Sequence, residues 1–250
     1  MAGPGQSEGS SSTQWSVISC ARGDSEEAMQ ALEQLASRYR GLIRDYLKAL
    51  GRSEDAEDLT QEFFARKFLR DSFLESVHRG TGSFRKFLKL CVKRFLIDHT
   101  RRRIRPGAQV GDVALGVVEE DGGGSLELGS AGLTADREMD RAWARAIIAR
   151  ARARLEAEFV RASKVELGAS FLRELDEEPG LPSHAEIAAR LGMSPGAVTT
   201  SFYRFRERMK FLVRAEVEAT VADRSDLEEE LRGLREAFAA GDASGRLVEG

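Results

Sequence analysis

Apolar residues recur at three- and four-residue intervals wherever this chain shows a pattern. Leu32, Leu35, Tyr39, Leu42, Ile43, Tyr46 and Leu50 form one stripe, and Asp24 with Glu27 predicts a capped start for the helix carrying it. Gly51 predicts its end. Ser53 predicts the cap of a second helix, SEDAEDLTQEFF, with Glu54, Asp55 and Glu57 in the first turn, where the helix dipole favours acids. A third helix opens at Ser83, and Phe84, Phe87, Leu88, Cys91 and Phe95 keep its three-four repeat. The stripe resumes with Trp143, Ile147, Ala151, Leu155 and Phe159, and a short helix is expected from Lys164 to Leu175. No segment of any length alternates with a period of two. The expected fold class is all-α.

Between Ile104 and Ala135 the helical period disappears into Gly, Val and acids, including Gly122-Gly123-Gly124. A patternless stretch of about thirty residues exceeds what compact domains carry, so it predicts a flexible linker at a domain boundary. The expected organisation is a disordered start over 1–13, a helical domain over 14–103, a linker over 104–136 and a second helical domain over 137–215. An acidic C-terminal extension over 216–250 follows. Within it Leu227, Leu231, Leu234 and Phe238 predict an amphipathic helix that packs on the protein's own domains or meets a regulator.

Net charge changes the picture only when read locally. The whole chain carries −3, which argues against a polyanion partner if charge were spread evenly. From Phe84 to Arg105, however, nine Lys/Arg face one Asp, while from Glu216 to Glu236 eight acids face three Arg. The third helix carries Arg85, Lys86, Lys89, Lys93 and Arg94 on its polar side and ends in Arg101, Arg102 and Arg103. That density suits a phosphate track. The preceding loop, Phe73 to Gly82, is long enough to hold an unstacked base.

The second domain contains a helix-turn-helix pattern. Ser183 and Glu186 predict a capping box, Gly192 the turn, Ser194 the next cap and Pro195 the first helical position. Val198, Phe202, Phe205 and Met209 form the inward stripe, which leaves Thr199, Thr200, Tyr203, Arg204, Arg206 and Lys210 outward or flanking. Residues of these types on a second helix reach base edges and phosphates in the major groove.

Asp55, Asp58 and Glu62 share one face, but no His or Cys supports them as a metal or acid–base site, so a docking face for a basic protein is the functional reading. His78, His99 and His184 share no ligand spacing, and Cys20 and Cys91 are too few for a disulfide framework. No signal peptide or membrane-length apolar run is evident. The expectation is a cytoplasmic, non-enzymatic protein with no cofactor, no metal and no membrane partner.

DAEDLTQEFF, then SFRKFLKLCVKRFLIDHTRRR, then a terminal helix-turn-helix resemble an extracytoplasmic-function sigma factor, of the sigma-70 superfamily, over roughly Trp15 to Val221. The resemblance implies a subunit that binds bacterial core RNA polymerase and directs transcription initiation at promoters. Arg38, Tyr39, Arg44, Asp55, Glu57, Asp58 and Gln61 would then meet the polymerase. The loop Phe73 to Ser83 would take an extruded −10 base. Arg85, Lys86, Lys89, Lys93, Arg94 and Arg101 to Arg103 would hold the single-stranded −10 region. Ser194, Thr199, Thr200, Tyr203, Arg204, Arg206 and Lys210 would read the −35 duplex. An anti-sigma or other regulatory protein is a further partner class. The alternative is a freestanding helix-turn-helix regulator of duplex DNA, which would need a dimer and a palindromic site.

Overall fold

Helices carry all the regular structure that the described residues form, apart from one isolated bridge between Ser83 and Val221. The structure, a computed structural model, describes residues 26–68, 83–103, 130–221 and 223–239. The expected disordered start, the base-holding loop and most of the expected linker lie outside them. The helices are α1 (Glu26–Ala49), α2 (Ala56–Phe63), α3 (Phe84–Arg103), α4 (Ser130–Arg161), α5 (Val165–Leu175), α6 (His184–Leu191), α7 (Pro195–Glu218) and α8 (Leu227–Ala239). A π-helical turn, Phe64–Phe68, follows α2, and a 3₁₀ turn, Arg224–Asp226, precedes α8. The chain divides into two units: Met1–Met139 with Glu218–Asp226, and Asp140–Val217 with Leu227–Gly250.

In the first unit, α1 buries Leu35, Tyr39, Leu42, Ile43 and Tyr46 along the stripe that the sequence predicts. Gly51, at φ +82°, takes the left-handed conformation that ends the run. Ala56, Leu59 and Phe63 of α2 and Phe84, Leu88, Val92 and Phe95 of α3 are buried in the same unit. Two aromatic contacts mark it: Tyr39 on Phe84 at 5.1 Å and Phe63 edge-on to Phe95 at 5.5 Å. The N-cap of α2 is Asp55 rather than Ser53, and its side chain makes no capping bond. Its carboxylate instead accepts from Arg52 at 3.3 Å, and the helix starts two residues later than the sequence predicts.

Two stretches read from sequence as unstructured or separate are helical here. α4 begins at Ser130, seven residues before the expected second domain, and Ala135 and Met139 are buried in the first unit. Gly132 weakens helix propensity locally, which hides the pattern; tertiary burial of Gly132, Ala135 and Met139 overrides it. Asp136 accepts from Tyr46 Oη at 2.5 Å and pairs with Lys93 at 2.9 Å, so this turn is also tied by charge. The described part of the expected C-terminal extension, 216–221 and 223–239, likewise does not stand apart. Glu216 accepts from Arg150 at 2.9 Å and Arg154 at 2.8 Å, and Val217 is buried. The Thr220 carbonyl accepts from the Phe84 N–H at 2.9 Å.

The second unit is built on α4 from Asp140 onward, which buries Trp143, Ile147, Ala151 and Leu155. Leu167 and Phe171 of α5, Ile187 of α6 and Val198, Phe205, Met209 and Leu212 of α7 complete its core. α8 belongs to the same unit and buries Leu227, Leu231 and Leu234, with Arg214 of α7 paired to Glu228 at 2.8 Å. Leu231→Ala is therefore expected to lower the stability of this unit by about 2–5 kcal/mol, whereas exposed Arg232→Ala should change it by less than about 0.5 kcal/mol. Denaturant melts of the two variants check this, and equal effects would remove α8 from the core.

Candidate functional site

The residues expected at a functional site fall into three groups. The first lies on α1 and α2. Glu57 and Asp58 occupy the first turn of α2, and both are exposed, as is Gln61 one turn on. Arg40 of α1 donates to Glu57 at 2.6 Å, and this hydrogen bond is the main cause holding the Glu57 carboxyl below its ordinary range. Asp55 is half-buried beside Arg52. Glu62 turns away to Arg66 at 3.2 Å and His99 at 3.5 Å, so the three-acid face expected from sequence does not converge. Arg38 is exposed, and Arg44 is half-buried with Asp45 at 3.1 Å. Tyr39 belongs elsewhere: it is fully buried against Phe84, because the i, i+4 spacing from Leu35 puts it on the inner stripe. Arg40 was not anticipated. Its role depends on the packing of α2 across α1, which no local spacing reveals.

The second group is α3. Lys86 and Arg94 are exposed and Lys89 is half-exposed. Arg85 and Lys93, expected beside them, are buried at 7% and 8% exposure, and Lys93 is the partner of Asp136. A long aliphatic stem lets a cation lie along a core while its head reaches an acid. Arg101, Arg102 and Arg103 form the last turn of the helix. Of the five cations expected on the polar side of α3 before its last turn, Lys86, Lys89 and Arg94 therefore remain accessible.

The third group is the pair α6 and α7. Ser183 accepts from the Glu186 N–H at 3.3 Å, while its own N–H and hydroxyl donate to the Glu186 carboxylate at 2.7 and 2.8 Å. This is the capping box read from sequence, and those donors hold the Glu186 carboxyl below its ordinary range. Gly192 closes α6 at φ +64° and accounts for the turn. Ser194 Oγ accepts from the Ala197 N–H at 3.2 Å, and Pro195 opens α7. Thr199, Thr200, Tyr203, Arg204 and Arg206 are exposed, and Lys210 is half-buried beside Glu207 at 3.3 Å. Phe202 is half-buried, not fully inside, and meets the ring of Phe171 at 5.2 Å. Arg208 stands apart from the other cations. It makes two hydrogen bonds to Glu158, at 2.9 and 2.7 Å, and lies over Phe211 at 4.8 Å. The first of these interactions lowers the Glu158 carboxyl and raises Arg208.

Among the described residues no group of His, Cys, Asp or Glu could hold a metal ion, and no helix is long and apolar enough to cross a membrane. Residues 32–105 match the family model described as sigma-70 region 2. This segment covers most of α1 and continues through the end of α3. No curated protein and no solved structure matches the chain.

Glu158 and Glu186 both lie below the ordinary carboxylate value of 4.5 in the folded protein. Their contribution to stability is therefore full above that value and is lost as pH falls through the lower folded value. Thermal melts between neutral pH and about pH 3 should show the wild type losing more stability than Glu158→Gln, which lacks the ionisable group. A Glu158→Gln protein with the wild-type acid slope would refute that assignment.

Proposed function

We propose that this chain is a sigma factor of the extracytoplasmic-function type, which binds core RNA polymerase in the cytoplasm and directs it to promoters. The observation that carries the reading is the sigma-70 region 2 match over residues 32–105, together with what α1 to α3 expose. Glu57, Asp58 and Gln61 offer an acidic docking face, supported by Arg38 and Arg44 on the neighbouring helix. Because these acids are solvent-exposed, they supply encounter rate and register more than raw affinity.

Lys86, Lys89 and Arg94, continued by Arg101 to Arg103, provide the line of cations for the backbone of the opened −10 strand. Loop 73–82, outside the described residues, would receive the extruded base. Arg85 and Lys93 act in this reading by holding α3 in place, not by touching DNA. In the second unit α7 would enter the major groove of the −35 element. Tyr203, Arg204 and Arg206 lie on its exposed face, and Ser194, Thr199 and Thr200 lie nearest its start. The chain's net charge of −3 keeps the free protein from binding DNA indiscriminately, so promoter affinity appears only once the polymerase holds it.

Co-elution of the full chain with bacterial core RNA polymerase tests the docking role. Asp58→Arg is expected to weaken the complex about tenfold or more while leaving helical content unchanged; wild-type binding by this variant would refute it. Salt titration with promoter DNA in the presence of core polymerase tests the cationic line. Lys86→Ala and Arg94→Ala should each lower the slope of log affinity against log salt by about one. An unchanged slope in both would remove α3 from the DNA.

A further inference from the structure

We infer that His184, held by Glu174, fixes the hydroxyl of Thr199 so that this residue offers duplex DNA a hydrogen-bond acceptor only. The inference rests on the duplex-reading role proposed for α7. His184 is the first residue of α6, and its ring meets Phe202 edge-on at 5.6 Å. Its Nε2 lies 3.1 and 3.0 Å from the two carboxylate oxygens of Glu174 on α5. Its Nδ1 lies 2.9 Å from Oγ1 of Thr199 on α7. The ring therefore links the helix before the turn motif to a residue on the exposed face of the second helix.

Proton counting decides what Thr199 has left. A carboxylate only accepts, so Nε2 carries a hydrogen in either charge state of the ring. If the ring is neutral, Nδ1 is bare and receives the Thr199 hydroxyl hydrogen. If the ring is a cation, Nδ1–H donates to Oγ1, and the hydroxyl hydrogen turns to the Pro195 carbonyl, 3.1 Å away. Both arrangements use the only hydroxyl hydrogen inside the protein. Exposed Thr199 then presents oxygen lone pairs and a methyl group to its surroundings.

That asymmetry has a sequence meaning. In the major groove adenine N6 and cytosine N4 are donors, whereas guanine O6 and N7, thymine O4 and every phosphate oxygen are acceptors. A threonine with a free hydroxyl bonds either kind. One with its hydrogen held by His184 and Pro195 selects an adenine or cytosine edge and cannot anchor on phosphate. His184 and Glu174 are positioning residues in this scheme: they set specificity without touching the duplex.

Selection of a randomised −35-like duplex by the full chain on core polymerase tests it. Thr199→Val keeps the shape and removes the acceptor; it should erase an adenine or cytosine preference at one base pair, and Thr199→Ser should keep it. His184→Leu, which retains bulk against Phe202, and His184→Ala should relax discrimination at that same base pair by about tenfold. His184→Asn, with an amide at the Nδ1 position, should restore it. Circular dichroism identifies which of the Leu and Ala variants keeps the wild-type helical content, and that variant carries the comparison. Retention of the base preference in it, alongside loss in Thr199→Val, overturns the inference. So does a Thr199→Val protein with the wild-type motif. If the wild type enriches no motif at all, the duplex-reading role itself fails, and the inference fails with it.

Discussion

The close approach of α5 to α4 is the contact on which the second unit depends. A Cβ on Gly168 would lie 2.8 Å from the ring of Phe159, so no larger residue fits without displacing that side chain. That approach brings Phe171 into a cluster with Phe159 at 6.4 Å, Phe205 at 5.4 Å and Phe202 at 5.2 Å. Aromatic pairs at such distances add about 0.5–1.5 kcal/mol each beyond the area they bury. More to the point, Phe202 and Phe205 both turn onto Phe171, and that sets the rotation of α7 about its axis. With Phe205 inside, Tyr203, Arg204 and Arg206 have nowhere to go but out. Orientation of the exposed face is thus a consequence of core packing two helices away.

The first unit obeys the same logic with a different result. Tyr39 on Phe84 and Phe63 on Phe95 set the rotation of α3, and that rotation sorts its cations. Lys93 is carried inward to Asp136, where a buried cation needs its acid. Lys86 and Arg94 are carried outward. The same helix therefore supplies both a strut of the fold and a line of exposed charge, and composition alone cannot divide the two.

This division explains what was legible in the sequence. Features set by neighbours within a turn or two are recovered from spacing: the stripes of α1 and α4, the Ser183–Glu186 capping box, the left-handed Gly192 and Pro195 at the start of α7. Features set by distant partners are not. Lys93 looks like a surface group by type, and its burial follows from Asp136 on a helix far along the chain. Arg40 beside Glu57 and His184 between Glu174 and Thr199 are also juxtapositions of separate helices. The start of α4 escaped because Gly132 lowers local helix propensity where tertiary burial supplies the stability. The helix after Glu216 was legible from the spacing of Leu227, Leu231 and Leu234, which are core residues, whereas its membership of the second unit depends on partners that spacing does not name.

Pairing also limits which charges are available to partners. In the second unit Glu216 takes Arg150 and Arg154, Asp176 takes Arg152, and Glu158 takes Arg208. Each such acid removes a cation from the pool facing a polyanion, while Arg204 and Arg206 stay on the exposed face of α7. The exposed pair of Arg152 with Asp176 adds little stability by itself. The larger effect of these pairings is to leave Arg204 and Arg206 as cations on the exposed face of α7. A chain that is acidic overall can thereby keep a narrow cationic face, and its recognition becomes a matter of geometry rather than of total charge.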